Sequence, residues 1–194
     1  VQSNGLSSSC YDTAAVVLNP LPTATIAKSM PFNNSQTNVN LTAGSGNSAN
    51  NYMWSTGESS SSIDVYPSQT TSYSVVVTTP KGCSATDSTT VEVESKMFIV
   101  NLANQIISTT PHIAGNFNAW STTSDSLTNI GGTLWAASLN LVKDDTISYK
   151  FINGNNWQDP HDFTACSNLP YQSMGNRYVI LESSIDTIGP FHLS

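Results

Sequence analysis

The chain has 194 residues, a formal net charge of −7 and only 10% charged side chains, well below the usual quarter. An acidic surface with six scattered Lys and Arg residues argues against nucleic acid or an anionic membrane as a partner and is compatible with a neutral polysaccharide. No apolar run approaches the roughly 20 residues of a membrane span.

Ser, Thr and Asn stand where charge would be. Branched Thr suits a pleated strand, whereas Ser and Asn compete with helix hydrogen bonds, so the composition predicts an all-β protein almost free of helix. The chain opens at Val1 without Met or a signal peptide, which reads as a processed piece of something longer.

Along residues 1–95, strands are predicted at Thr13–Leu18, Thr23–Ala27, Thr37–Ala43, Asn51–Ser55, Ser61–Val65, Thr71–Thr79 and Asp87–Glu94. Turn clusters such as Gly44-Ser45-Gly46-Asn47 and Pro80-Lys81-Gly82 separate them. "SYSVVVTT" and "STTVEVE" alternate with a period of two, as half-buried antiparallel strands do. "SSSCYDTAAVVLNP" echoes "CSATDSTTVEVES", which suggests tandem modules. On that reading residues 1–19 are the last strand of a preceding copy, or a strand shared with it. Three cysteines make no disulfide framework. The spacing allows a Cys10–Cys83 bridge or leaves both as thiols.

The run "YMWSTGESSSSIDVYPSQTTSYSVVVTTPKGCSATDSTTVEV" resembles the Ig-like or PKD-like repeats of large secreted bacterial surface proteins. That likeness implies a spacer or adhesion module, with Trp54 in its core.

A second β unit, residues 96–194, follows the junction at Glu94–Phe98. Its predicted strands are Met97–Leu102, Pro111–Ala114, Thr133–Leu141, Thr146–Ile152 and Arg177–Leu181. Trp135, Ala137, Leu139 and Leu141 share one face, and Ile147, Tyr149 and Phe151 another; Ser148 and Lys150 then point outward. Trp120, closing "AGNFNAW", and Trp157, closing "YKFINGNNW", have no periodic place in a core and fall on loops. A pyranose offers an apolar C–H face and a rim of hydroxyls. Tryptophan supplies a platform for the face. Amides such as Asn118 and Asn155, with Lys150, supply directional partners for the rim.

"PHIAGNFNAW … GGTLWAASLNL … TISYKFINGNNWQDP … MGNRYVI" resembles the family-48 starch- and glycogen-binding modules, which include the glycogen-binding domain of AMP-activated kinase. The likeness implies a compact antiparallel β-sandwich. It implies stacking on glucose by Trp120 and Trp157, and sugar hydroxyl contacts from Lys150 and Asn176. The whole is then two tandem antiparallel β-sandwiches, Ig-like and then carbohydrate-binding-module-like. The two resemblances imply a noncatalytic segment, secreted or on a bacterial surface, that binds a glucan beside other modules of its parent chain. The alternative is a purely structural or adhesive pair of spacers. "DPHD" at Asp159–Asp162 reads as a turn rather than a metal site. No cofactor loop, nucleophile motif or placed carboxylate pair is present, so catalysis, if any, belongs elsewhere in the parent.

Overall fold

The computed structural model describes residues 19–31, 38–44, 50–103, 106–107, 109–154, 177–180 and 187–192. Its regular structure is thirteen strands and one short 3-10 turn, with no α-helix among the described residues.

The first six strands are β1 (Thr25–Ser29), β2 (Val39–Gly44), β3 (Asn51–Trp54), β4 (Ser62–Val65), β5 (Thr71–Thr78) and β6 (Ser84–Val91). They form two antiparallel sheets, ordered β1-β2-β4 and β3-β5-β6. The alternation read in the sequence decides which faces meet: Tyr73, Val75 and Val77 of β5 join Val39, Leu41, Ile63 and Val65 in one buried cluster. Trp54 lies in that cluster at 2% exposure, and its indole N–H donates to the Ser60 carbonyl at 2.8 Å. That bond removes the cost of burying the ring's polar edge. The Trp-Ser-Thr-Gly turn closes with the Gly57 amide on the Trp54 carbonyl at 3.0 Å. Gly57 has φ 98°, a conformation glycine adopts without penalty. The outer face of β5 and β6 is a ladder of Ser and Thr interrupted by Val76, cross-linked where Ser72 and Thr90 hydroxyls meet at 2.9 Å.

The remaining strands are β7 (Val93–Asn101), β8 (His112–Gly115), β9 (Thr128–Gly131), β10 (Leu134–Val142), β11 (Thr146–Ile152), β12 (Arg177–Ile180) and β13 (Thr187–His192). They form the sheets β13-β7-β10-β9 and β12-β11-β8; only β13 with β7 is parallel. The predicted stripes meet in a second cluster, where Phe98, Ala137, Leu139, Leu141, Ile147, Tyr149 and Phe151 are buried. Tyr149 stands edge-on to Phe98, with centroids 5.0 Å apart, and to Phe151 at 5.7 Å. Trp135 packs against this cluster while remaining partly exposed.

Several expectations need correction. β7 begins at Val93, four residues before the predicted strand, because the polar Glu94-Ser95-Lys96 hides its start. Lys96 faces inward and is fully buried; its ammonium is paired to the Glu94 carboxylate at 2.8 Å. β9 and β13 were not anticipated. β9 is exposed along its length, Ile130 included. β13 carries Gly189-Pro190, a turn signal in sequence, and the structure absorbs it as a register break on an edge strand. Ser148 does not point to solvent: it is fully buried, and its hydroxyl has no hydrogen-bond partner among the described residues. Cys83 is a free, half-buried thiol, so it forms no bridge with Cys10; Cys10, Cys166 and the first predicted strand lie outside the described residues.

Only Glu92 separates β6 from β7. Its carbonyl accepts the Lys143 amide at 3.0 Å, and its carboxylate meets the Lys143 ammonium at 2.7 Å. That contact holds the carboxyl below, and the ammonium above, its ordinary range. Val142 of β10 packs against the first cluster.

Candidate functional site

The "AGNFNAW" run leaves β8 at Gly115 and enters the 3-10 turn Asn116–Asn118. Gly115 is required by close approach. A Cβ there would collide with the Phe117 ring and the Ser148 carbonyl oxygen. Asn116 is fully buried. Its Oδ1 accepts the Ser148 amide at 3.0 Å and its Nδ2 donates to the Thr146 carbonyl at 3.1 Å. The side chain thus continues the β11 ladder past the point where β8 ends, at the Gly115–Tyr149 pair.

Asn118 serves the same loop. Its Oδ1 accepts the Gly115 amide at 3.0 Å, and its Nδ2 donates to the Ile113 carbonyl at 3.1 Å and to Asp125 Oδ2 at 2.6 Å. The two amides that precede the tryptophan are therefore spent inside the protein. What they hold is the conformation that follows. Ala119 and Trp120 have φ of 51° and 60°, two consecutive non-glycine residues in the left-handed region, which side chains disfavour. The Trp120 amide closes the loop on the Gly115 carbonyl at 2.8 Å.

Trp120 is half-buried, and so is Lys150 of β11. Lys150 pairs with Ala114, one step along from the Gly115–Tyr149 pair. Tyr149 is also in register with Arg177, the first residue of β12. One row of the sheet therefore runs Gly115–Tyr149–Arg177. Trp120 is tied to one end of that row, Lys150 lies beside its centre, and Asn176 immediately precedes its far end in sequence. Asn155, Trp157 and Asn176 themselves lie outside the described residues, as does the Asp159–Asp162 turn. The root of the Trp157 loop is described: the Asn153 amide donates to the Ile106 carbonyl at 2.9 Å, and His112 Nδ1 meets the Gly154 carbonyl at 2.7 Å.

At the start of β11, Asp145 is buried at 4% exposure. Burial pushes its carboxyl up to about 6, against the Thr146 amide that donates to it at 2.7 Å. The structural roles of Asn116, Asp125 and Asp145 were not read from sequence. The only signal for Asn116 was its place in a run from which Asn118, not Asn116, was singled out. Among the described residues no cluster of His, Cys, Asp or Glu is arranged to hold a metal ion.

No protein-family model matches the chain, and a search of curated proteins finds no match. The site is therefore judged on its own geometry.

Proposed function

We propose that this chain is a noncatalytic carbohydrate-binding segment of a larger secreted or bacterial surface protein. Residues 1–95 are an Ig-like spacer sandwich and residues 96–194 a sandwich that binds an α-glucan or a related neutral glucan. Trp120 and Trp157 are its stacking platforms, and Lys150 and Asn176 its hydroxyl partners. Asn155 precedes the second platform by two residues in sequence. Asn118 acts through the loop it holds.

The observation that supports this reading most is the conformation of the Trp120 loop. Two asparagines, a glycine and two left-handed residues set the backbone of Trp120 at the Gly115 end of the sheet row next to Lys150. A fixed platform loses little entropy when a ligand stacks on it. Covering roughly 60–100 Å² of apolar surface stabilises a stack by about 1.5–2.5 kcal/mol, and Lys150 adds a charged hydrogen bond to a hydroxyl.

The test is affinity electrophoresis in gels containing soluble starch, glycogen, xyloglucan or β-glucan. The wild-type chain is retarded by at least one of them. Trp120→Ala loses binding roughly tenfold to 70-fold and keeps its melting temperature. Retardation by none of the four would overturn the reading. The spacer alternative is favoured by the single-residue connection between β6 and β7, and it predicts that outcome.

A further inference from the structure

We propose a second saccharide contact, in the groove where the two sets of sheets meet. The groove, about 190 Å³, opens between Val65–Ser68 after β4 on one side and Phe117 with Asn140–Val142 on the other. Its floor is settled structure. Val65 and Leu141 belong to the two buried clusters, and Val142 of β10 packs against the first. Its rim is the reverse. Tyr66 is 60% exposed, a large ring with no packing reason to be there. Ser68 and Asn140 are exposed beside it. The Asn38 amide, on the same rim, is oriented by donation to Asp64 Oδ1 at 2.9 Å.

The lining selects the ligand class. No residue of the groove is charged, in a chain of net charge −7. A phosphate therefore finds no cation in the lining, and the Asp64 carboxylate behind the rim is already engaged by the Asn38 and Asn40 amides. An aromatic plane beside two amides and a hydroxyl matches a neutral polyhydroxylated ring. The volume is below the roughly 300 Å³ at which enclosed metabolite pockets begin. It suits one residue of a longer chain lying across the surface. Phe117 lines the groove and belongs to the turn that fixes Trp120 three residues later, so one loop serves both contacts. The inference shares its ligand class with the proposed function and rests on that reading. Two weak contacts on one polysaccharide raise its avidity through effective concentration.

The experiment is an amide NMR titration of the full chain with maltoheptaose, repeated with cellohexaose and a xyloglucan heptasaccharide. The groove is supported if the Ser68 amide and the Asn140 side-chain amide shift in the wild type along with the Trp120 indole. Tyr66→Ala should then abolish the groove shifts, spare those at Trp120 and weaken overall affinity about tenfold. Asn140→Ala, an exposed position, is the second variant and should act in the same direction. Trp120→Ala should leave the groove shifts in place. Shifts confined to Trp120 would overturn the groove and leave the glucan reading standing. Shifts at neither place with all three oligosaccharides would overturn both.

Discussion

Among the described residues, the first set of sheets buries one polar side chain, Asn50, while the second buries Lys96, Asn116, Asp145 and Ser148. All three non-glycine residues with positive φ among the described residues (Ala119, Trp120 and Asp144) also fall in the second. Both sets have a continuous apolar cluster and antiparallel ladders. The contrast therefore does not come from fold class. Burying polar groups and holding left-handed residues costs free energy, and such costs gather where a surface must be held in a set shape. The first region looks like sheet optimised for itself: valines inward, Ser and Thr outward, a tight glycine turn under Trp54. The second carries these costs at the Trp120 loop, at the Asp144–Asp145 turn and at the start of β7.

The sharpest way to break this comparison is to remove Asn116. Asn116→Ala strands the Ser148 amide and the Thr146 carbonyl, both of which it satisfies. Each orphaned buried group costs about 1–3 kcal/mol, so the variant should lose about 2–5 kcal/mol in urea unfolding. Ser72→Ala, on the exposed ladder of the first region, should change stability by less than about 0.5 kcal/mol. Equal small losses at both positions would remove the distinction.

Asp145 gives a smaller effect with a defined sign. Its carboxyl titrates near 6 in the folded chain, against 3.8 ordinarily. Below about pH 4 it is protonated in both states and the shift contributes nothing. Between about pH 4 and 6 the unfolded chain releases the proton that the folded chain retains, so stability falls as pH rises, and the loss is complete above about 6. Asp145→Asn keeps an acceptor for the Thr146 amide and removes the buried charge. It should stabilise the protein by about 2–3 kcal/mol at pH 7 and by almost nothing at pH 3.5. Urea midpoints at the two pH values decide it. A gain that is the same at both would mean that burial of the charge is not its source.

What the sequence made legible follows the same divide. Strands with an inward stripe, such as Thr71–Thr78 and Thr146–Ile152, were placed to within a residue, because one buried face imposes a period of two. Trp54 was expected in the core from the resemblance of its run to Ig-like repeats, not from a stripe, and it lies there. The strands that escaped lack a stripe: β9 is exposed on both faces, β13 contains a proline, and the start of β7 is built from a buried Lys and its carboxylate partner. Such pairings are made in three dimensions and leave no periodic trace. At the candidate site the tryptophan loop was visible, but the direction of its asparagines was not. An asparagine that feeds a ligand and one that feeds the backbone read alike. Only the hydrogen-bond partners of Asn116 and Asn118 separate the two roles.

The smallest effect asks what the strain at the tip of that loop is for. Ala119 sits at φ 51° and ψ 36°, where a Cβ costs about 1–2 kcal/mol. Ala119→Gly removes that cost. Glycine also loses more chain entropy on folding, by about 0.4–1 kcal/mol. The two terms oppose, and relief of the left-handed conformation wins by about 0.5–1 kcal/mol, seen as a small rise in melting temperature. Binding should move the other way. A glycine beside Trp120 frees the platform's backbone, and the entropy of fixing it returns as a cost of binding. A chain that melts higher yet binds soluble starch or another retarding glucan a few-fold more weakly would show that the left-handed pair pre-orients the ring. Higher melting with unchanged affinity would mean that the strain only closes the sheet, and that the second region holds its polar core for stability alone.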